Sequence, residues 1–319
     1  MTEALTLALP SKGRLKEQAE AWLSDAGFKL EIEGGDRGYR AGLKGLPGAE
    51  VRLLSAGDIA AAVDAGEVHL GLTGEDLLRE RPEGVDARVM LLRPLGFGRA
   101  DLVVAAPQSW IDVETMADLD EVAHQILART GQRLRVATKY MAQTRAFFAR
   151  HGIVDYRIVE SLGATEGAPA AGAAELVVDI TTTGATLAAN NLKILGDGVI
   201  LKSQAQLAAS LRAAWTPGQL DQLRRFLLVI EARARAKGVT SVRWPVEQDE
   251  TAAKACAPFI ARGATRRADG LLVASSELFD AAGALAAAGV GPVSVASLDY
   301  VFEPASAALE ALKARLAPH

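Results

Sequence analysis

A single cysteine, Cys256, is all that the 319 residues contain. One thiol can form neither an intramolecular disulfide nor a thiolate metal cluster. Histidine is almost as scarce: His69, His124, His151 and His319 show no metal-ligand spacing and read as packing or surface residues. The net charge of −4 supplies no bulk positive field to attract nucleic acid. No apolar run approaches the roughly 18 residues that a membrane span needs. Met1-Thr-Glu-Ala carries no basic segment ahead of its apolar residues, so a signal peptide is not expected and a cytoplasmic protein is. Several nucleotide and hydrolase motifs are missing too. There is no Gly-x4-Gly-Lys-Ser/Thr loop, which argues against a P-loop kinase or ATPase. Gly96-Phe-Gly98 lacks a third glycine and precedes a strand rather than a helix, so it fails as a dinucleotide fingerprint. No Gly-x-Ser-x-Gly elbow or Ser-His-Asp arrangement can be picked out.

What is present is an α/β pattern. Half the residues are hydrophobic, aromatics make up only 5%, and alanine is abundant, which favours helices packed on sheets. The unit strand, polar turn, helix recurs from Leu5 through Asp76 and argues for mainly parallel strands. Leu95-Gly-Phe-Gly98 leads into a second lobe spanning 98–189. The apolar runs Ile194-Leu195 and Gly198–Leu201 then suggest a return, so that 1–97 and 190–215 form the first lobe. Trp215-Thr-Pro-Gly218 marks a boundary, and 219–319 alternates helix and strand as a small further domain, regulatory or interfacial. Two lobes joined by two crossings imply a cleft, and clefts between lobes are preferred ligand sites.

The stretch Leu176–Leu187 carries the chemistry. A β-branched strand ends at Asp179 and opens into Thr181-Thr-Thr-Gly-Ala-Thr186 before a helical segment. Such a loop brings backbone N–H groups and hydroxyls around one point, which suits a phosphate. Taken alone, it is equally a threonine-capped helix after an ordinary strand. Asp179 can accept from sugar hydroxyls or hold a magnesium ion. Lys12 and Arg14 offer two cations on a glycine turn or form an ordinary solvated loop, Lys139-Tyr140 offers a third cation beside an aromatic edge or an ordinary surface lysine, and Glu166 lies in a flexible turn where it either binds a sugar or merely faces water. Cations beside a phosphate cradle imply a highly anionic ligand accompanied by Mg2+.

From Glu166 to Leu187 the sequence also resembles the signature of the ATP phosphoribosyltransferases, Glu-x5-Gly-x-small-x2-Ile/Val-x-Asp-aliphatic-x2-Ser/Thr-Gly-x-Thr-Leu. Glu166, Gly172, Ala174, Val177, Asp179, Ile180, Thr183, Gly184, Thr186 and Leu187 fill it. Pro10-Ser-Lys-Gly-Arg14, Leu70–Asp76, Leu95–Gly98, Ala137–Tyr140 and Ser203-Gln-Ala205 agree, so the resemblance covers about 5 to 210. It implies a two-lobed, periplasmic-binding-protein-like α/β core that moves phosphoribose from phosphoribosyl pyrophosphate to N1 of ATP, the first step of histidine biosynthesis. Thr182, Thr183, Gly184, Ala185 and Thr186 would hold the 5-phosphate, and Asp179 the ribose hydroxyls. Lys12, Arg14 and magnesium would offset charge on the departing pyrophosphate. Glu166, Leu187, Gly74, Asp76, Lys139 and Tyr140 would complete the substrate contacts. Long members of the family add a small ferredoxin-like α+β domain that binds histidine as inhibitor. Short members instead rely on a histidyl-tRNA-synthetase-like subunit. Length favours the built-in domain here, in a homo-oligomer (dimer or hexamer). A two-lobed anion-binding protein without catalysis is the competing class.

Overall fold

The computed structural model describes residues 4–32, 40–81 and 84–317. Part of the Met1–Ala4 reading, and His319, lie outside the described residues. The chain opens with β1 (Leu5–Pro10) and α1 (Gly13–Asp25), followed by β2 (Lys29–Ile32), β3 (Arg40–Lys44) and β4 (Ala49–Leu54). Helix α2 (Ala56–Ala65) leads to β5 (Leu70–Gly74), α3 (Glu75–Arg79) and β6 (Val89–Pro94). A second series follows: β7 (Ala100–Pro107), α4 (Met116–Thr130), β8 (Leu134–Thr138), α5 (Met141–Arg150) and β9 (Tyr156–Glu160). It ends with β10 (Leu176–Thr181), α6 (Ala185–Ala189) and β11 (Leu192–Ser203), and β12 (Ala205–Ser210) comes next.

These strands make two sheets within one compact unit, which holds Leu30–Thr216 with segments from either end of the sequence. The first sheet has the order β2-β3-β4-β1-β5-β12-β6 and the second β11-β7-β10-β8-β9. β4, β1 and β5 run parallel, as do β9, β8 and β10. Their carboxyl ends therefore carry the loops that face a ligand in α/β sheets. Each sheet has its own core. Ala8, Ile59, Val63, Val68 and Leu78 pack in the first, and Leu102, Val104, Met116, Leu119, Phe148 and Val178 in the second. Burying each larger aliphatic or aromatic side chain contributes about 1.5–3 kcal/mol. Local signals set the helix ends. Thr115 and Asp118 form a reciprocal capping box at the start of α4, and Gly131 ends it at φ 69°.

The chain returns to the first sheet later than the apolar runs suggest. Ile194 pairs with Ala105 and Val199 with Val103, antiparallel, so residues 192–203 lie in the second sheet and only β12 goes back. A short apolar run specifies a strand but not its partner. β2, β3 and β6 are strands beyond those expected from the apolar runs. β3 alternates exposed and buried positions and contains Gly42, a weak pattern for propensity to detect.

The second compact unit holds Trp22–Lys29 and Pro217–Ala311. It contains α7 (Pro217–Lys237), β13 (Val239–Arg243), α8 (Asp249–Ala261), β14 (Thr265–Arg267), β15 (Gly270–Ala274), α9 (Leu278–Ala287), β16 (Ser294–Ser297) and the first half of α10 (Ala307–Leu316). The βαββαβ order and the antiparallel sheet β14-β15-β13-β16 are ferredoxin-like. The end of α1 belongs here because Phe28 and Trp22 pack their rings on Phe226, with centroids 5.1 and 6.2 Å away. Cys256 is fully buried in this unit's core, and burial pushes its thiol up, away from reactivity. Among the described residues, no helix is long and apolar enough to cross a membrane.

Candidate active site

The carboxyl ends of β1, β5, β8 and β10 open on one cleft of about 620 Å³ inside the first unit. Arg14 reaches it from the first turn of α1, where Gly13 takes φ 74°. Gly74 and Asp76 line it from the β5–α3 turn, Lys139 and Tyr140 from the turn after β8, and Thr182 from the loop after β10. Leu15, Leu77, Phe97 and Ile180 add an apolar wall. Arg99, which lies outside the motifs of the sequence, adds a cation where the chain enters β7. It also lines an adjoining cavity of about 410 Å³ together with Lys202, Thr181 and Thr182. Neither residue stands in a recognisable motif, so only the crossing of β7 and β11 reveals them.

Lys12, Glu166, Asp179 and Thr183–Leu187 do not line the main cleft. Asp179 nevertheless stands close to its charges. Burial raises its carboxyl above the usual range, the Ile180 amide and Lys139 pull it down, and the carboxylates of Glu166 and Asp76 push it up again. Its Oδ1 accepts from the Ile180 amide at 2.8 Å. In the threonine loop Gly184 takes φ 76°. Its amide donates to Thr181 Oγ1 at 2.8 Å, the Ala185 amide donates to Thr183 Oγ1 at 3.4 Å, and the Thr182 hydroxyl donates to the Arg99 carbonyl at 3.2 Å. Leu187 turns inward. Its side chain is buried against Val103, Ala105, Val177 and Leu192, so it anchors the loop and leaves only its backbone for a ligand.

Asp76 and Tyr140 line the cleft and also bond to each other. Tyr140 is fully buried and its hydroxyl donates to Asp76 Oδ2 at 2.6 Å, while Ser203 Oγ donates to Oδ1 at 2.9 Å. The glycine at position 74 follows from this arrangement, because a Cβ there would stand 2.2 Å from Asp76 Oδ1. His69 is a packing residue: Nδ1 accepts from the Thr6 amide at 3.1 Å and Nε2 lies 3.0 Å from the Ala214 carbonyl. Among the described residues no three His, Cys, Asp or Glu side chains are grouped to cage a metal. A magnesium ion held by one carboxylate, substrate phosphates and water needs no such cage, and the partly buried carboxylate of Asp179 fits that donor set.

Parallel strand ends, the cations Arg14, Arg99 and Lys139, the Thr182 hydroxyl at the start of the glycine loop and an apolar wall meet in one cleft of an α/β protein, with room for an anionic nucleotide. Comparison with known proteins makes this specific. Residues 55–229 match the family model HisG, ATP phosphoribosyltransferase. ATP phosphoribosyltransferase from Caulobacter vibrioides is 69% identical over 99% of this chain and 100% of its own length. The one from Bradyrhizobium sp. is 51% identical over 98% and 99%. The ATP phosphoribosyl transferase (HisG:HisZ) complex from Thermotoga maritima superposes with TM-score 0.54 at 25% identity, covering 71% of this chain and 96% of that one. The chain belongs to the ATP phosphoribosyltransferase family.

Proposed function

We propose that this chain transfers phosphoribose from phosphoribosyl pyrophosphate to N1 of ATP, releasing pyrophosphate and forming phosphoribosyl-ATP, which opens histidine biosynthesis. The observation that carries this reading is the meeting of Arg14, Lys139 and Thr182 on one cleft wide enough for a nucleotide. The 5-phosphate takes the loop Thr182–Thr186. There it replaces the internal hydrogen bonds of Gly184 and Ala185, and the hydroxyls of Thr181 and Thr183 turn to the ligand. Asp179 accepts from the ribose hydroxyls, with Glu166 beside it. The adenine ring lies against the apolar wall of Leu15, Leu77, Phe97 and Ile180.

The bond from ribose C1 to the pyrophosphate oxygen breaks as the bond to adenine N1 forms from the ring nitrogen's own lone pair. No strong general base is needed. Positive charge grows on the ribose, where Asp179 opposes it, and negative charge on the departing oxygen, where Arg14 and Lys12 stabilise it. A bound magnesium ion adds charge neutralisation on the phosphates. Holding both substrates in line supplies much of the remaining acceleration.

The second unit acts as the built-in regulatory domain, with histidine as its ligand. The Thermotoga match covers 96% of that chain but only 71% of this one, which leaves room here for a domain of this kind. Its cavity of about 290 Å³ is lined by Arg235, Arg262, Thr265 and Glu277, a set of both signs suited to an amino acid. Mixing ATP, phosphoribosyl pyrophosphate, magnesium and pyrophosphatase while following product absorbance tests the catalytic reading. No turnover by folded protein, alone or with an added histidyl-tRNA-synthetase-like subunit, would refute it. Absence of inhibition by histidine would remove only the regulatory assignment.

A further inference from the structure

The start of α5 is satisfied from an unexpected place. The first amides of any helix have no partner within it, and Tyr140, at the cap position of α5, supplies no side-chain bond to them. Glu80, directly after α3 on the other sheet, does so instead. Its Oε1 accepts from the Ala142 amide at 2.7 Å and its Oε2 from the Gln143 amide at 3.2 Å. A carboxylate suits that helix end electrostatically as well as geometrically. Gln143 returns the contact, donating through Nε2 to the Asp76 carbonyl at 2.9 Å. With the Tyr140–Asp76 bond, these contacts join the α3 region to the β8–α5 turn by several hydrogen bonds spanning more than sixty positions of sequence.

The turn between them holds Lys139. Thr138 is fully buried and its hydroxyl accepts from the Tyr140 amide at 2.9 Å, Tyr140 is fully buried, and Ala142 and Gln143 are held by Glu80. Lys139 is the exposed member of this fixed run, and its Nζ lies 4.9 Å from the centre of the Tyr140 ring, on the cleft. We propose that Glu80 is a positioning residue for Lys139. It sets the N-terminus of α5, and so the turn, against α3, and thereby aims the ammonium group at the phosphates of the bound substrate. This rests on the assignment of Lys139 to the substrate cleft made above.

The test compares Glu80→Ala, Glu80→Gln, Lys139→Ala and the double variant E80A/K139A in steady-state kinetics and thermal unfolding. Glu80→Ala should raise KM for phosphoribosyl pyrophosphate or ATP by about tenfold with a smaller change in kcat. Glu80→Gln keeps one acceptor oxygen for the helix amides, so it should recover part of that loss. It also serves if the alanine variant does not fold. Because Glu80 acts through Lys139, the double variant should be no worse in kcat/KM than Lys139→Ala alone. Losses that multiply in the double variant would overturn the proposal. So would a Glu80→Ala protein that melts earlier yet keeps native KM while Lys139→Ala is impaired. Wild-type kinetics in Lys139→Ala would instead overturn the cleft assignment on which the proposal stands.

Discussion

Tyr140 and Asp76 meet as phenol and carboxylate at a point that solvent barely reaches, their oxygens 2.6 Å apart. Burial first, and then the Asp76 charge, push the Tyr140 phenol far up, so it stays protonated and donates. Asp76 belongs to the helix after β5 and Tyr140 to the turn after β8, so the bond ties the elements that follow the two sheets of the first unit together in the cleft wall. Ser203, the last residue of β11, completes the carboxylate's partners at the second strand crossing. Two residues first expected to touch substrate therefore also hold the walls of the site together.

Tyr140→Phe should isolate that bond. The ring still fills its space, but the buried Asp76 carboxylate loses a charge-assisted donor, at a cost of about 1–3 kcal/mol. Urea unfolding compared with the wild-type chain measures it, and an unchanged midpoint would show that the bond contributes nothing net.

How much of this was legible beforehand depends on the range of the interaction that fixes each feature. The strands β1, β5, β8 and β10 announce themselves as apolar runs, and the turns after them as polar residues, because both signals are local. The partner of β11 is not local: Ile194 pairs with Ala105 across about ninety positions, and nothing within the run records that. The same holds for Glu80, whose role depends on amides sixty-two positions away. The threonine loop is legible as a glycine-broken turn between β10 and α6 because the residues that make it are consecutive. Arg99 and Lys202 were not, since their cavity exists only once β7 and β11 lie side by side.

Asp64 offers a test of stability remote from the cleft. Burial works against its ionisation, but hydrogen bonds from Arg88 at 2.6 Å and Arg81 at 3.2 Å outweigh it and hold the carboxyl below its ordinary range. A depressed native value contributes stability that is present above the unfolded value, near pH 4, and lost as pH falls through the native one. Asp64→Ala should therefore cost about 1–2 kcal/mol at neutral pH, because the half-buried Arg81 and Arg88 lose their shared carboxylate, and the difference should shrink in acid. Denaturant titrations at pH 7 and below pH 4 check both parts.

Gly270 provides a way to damage the second unit alone. A Cβ there would stand 2.1 Å from the Val242 carbonyl oxygen and 3.1 Å from Arg243 Cα, both backbone atoms of the neighbouring strand. Strand β13 would have to shift, so Gly270→Ala should destabilise the four-stranded sheet by about 3 kcal/mol. On the reading proposed here, histidine inhibition is lost in this variant while turnover persists. Equal sensitivity to histidine in variant and wild type would separate that sheet from regulation.

Asp179→Asn brings stability and activity into opposition. In the native protein the carboxyl is raised, by burial first and then by the charges of Glu166 and Asp76, so ionisation is harder in the folded chain than in the unfolded one. The sign follows from linkage. A raised carboxyl costs stability as pH climbs from the unfolded value, about 3.9, through the native one, and the full cost is present at neutral pH. Asparagine carries no such charge. The variant should therefore unfold later than the wild type at pH 7, and the gain should vanish below about pH 4, where aspartate is itself neutral. On the function proposed above, activity should move the other way, falling on the order of 100-fold as the charge assigned to oppose the cationic ribose is removed. Unfolding midpoints across pH 3–8, measured alongside kcat/KM, decide the matter. A variant that is both less stable and fully active would show that Asp179 is held by the fold for packing rather than for charge.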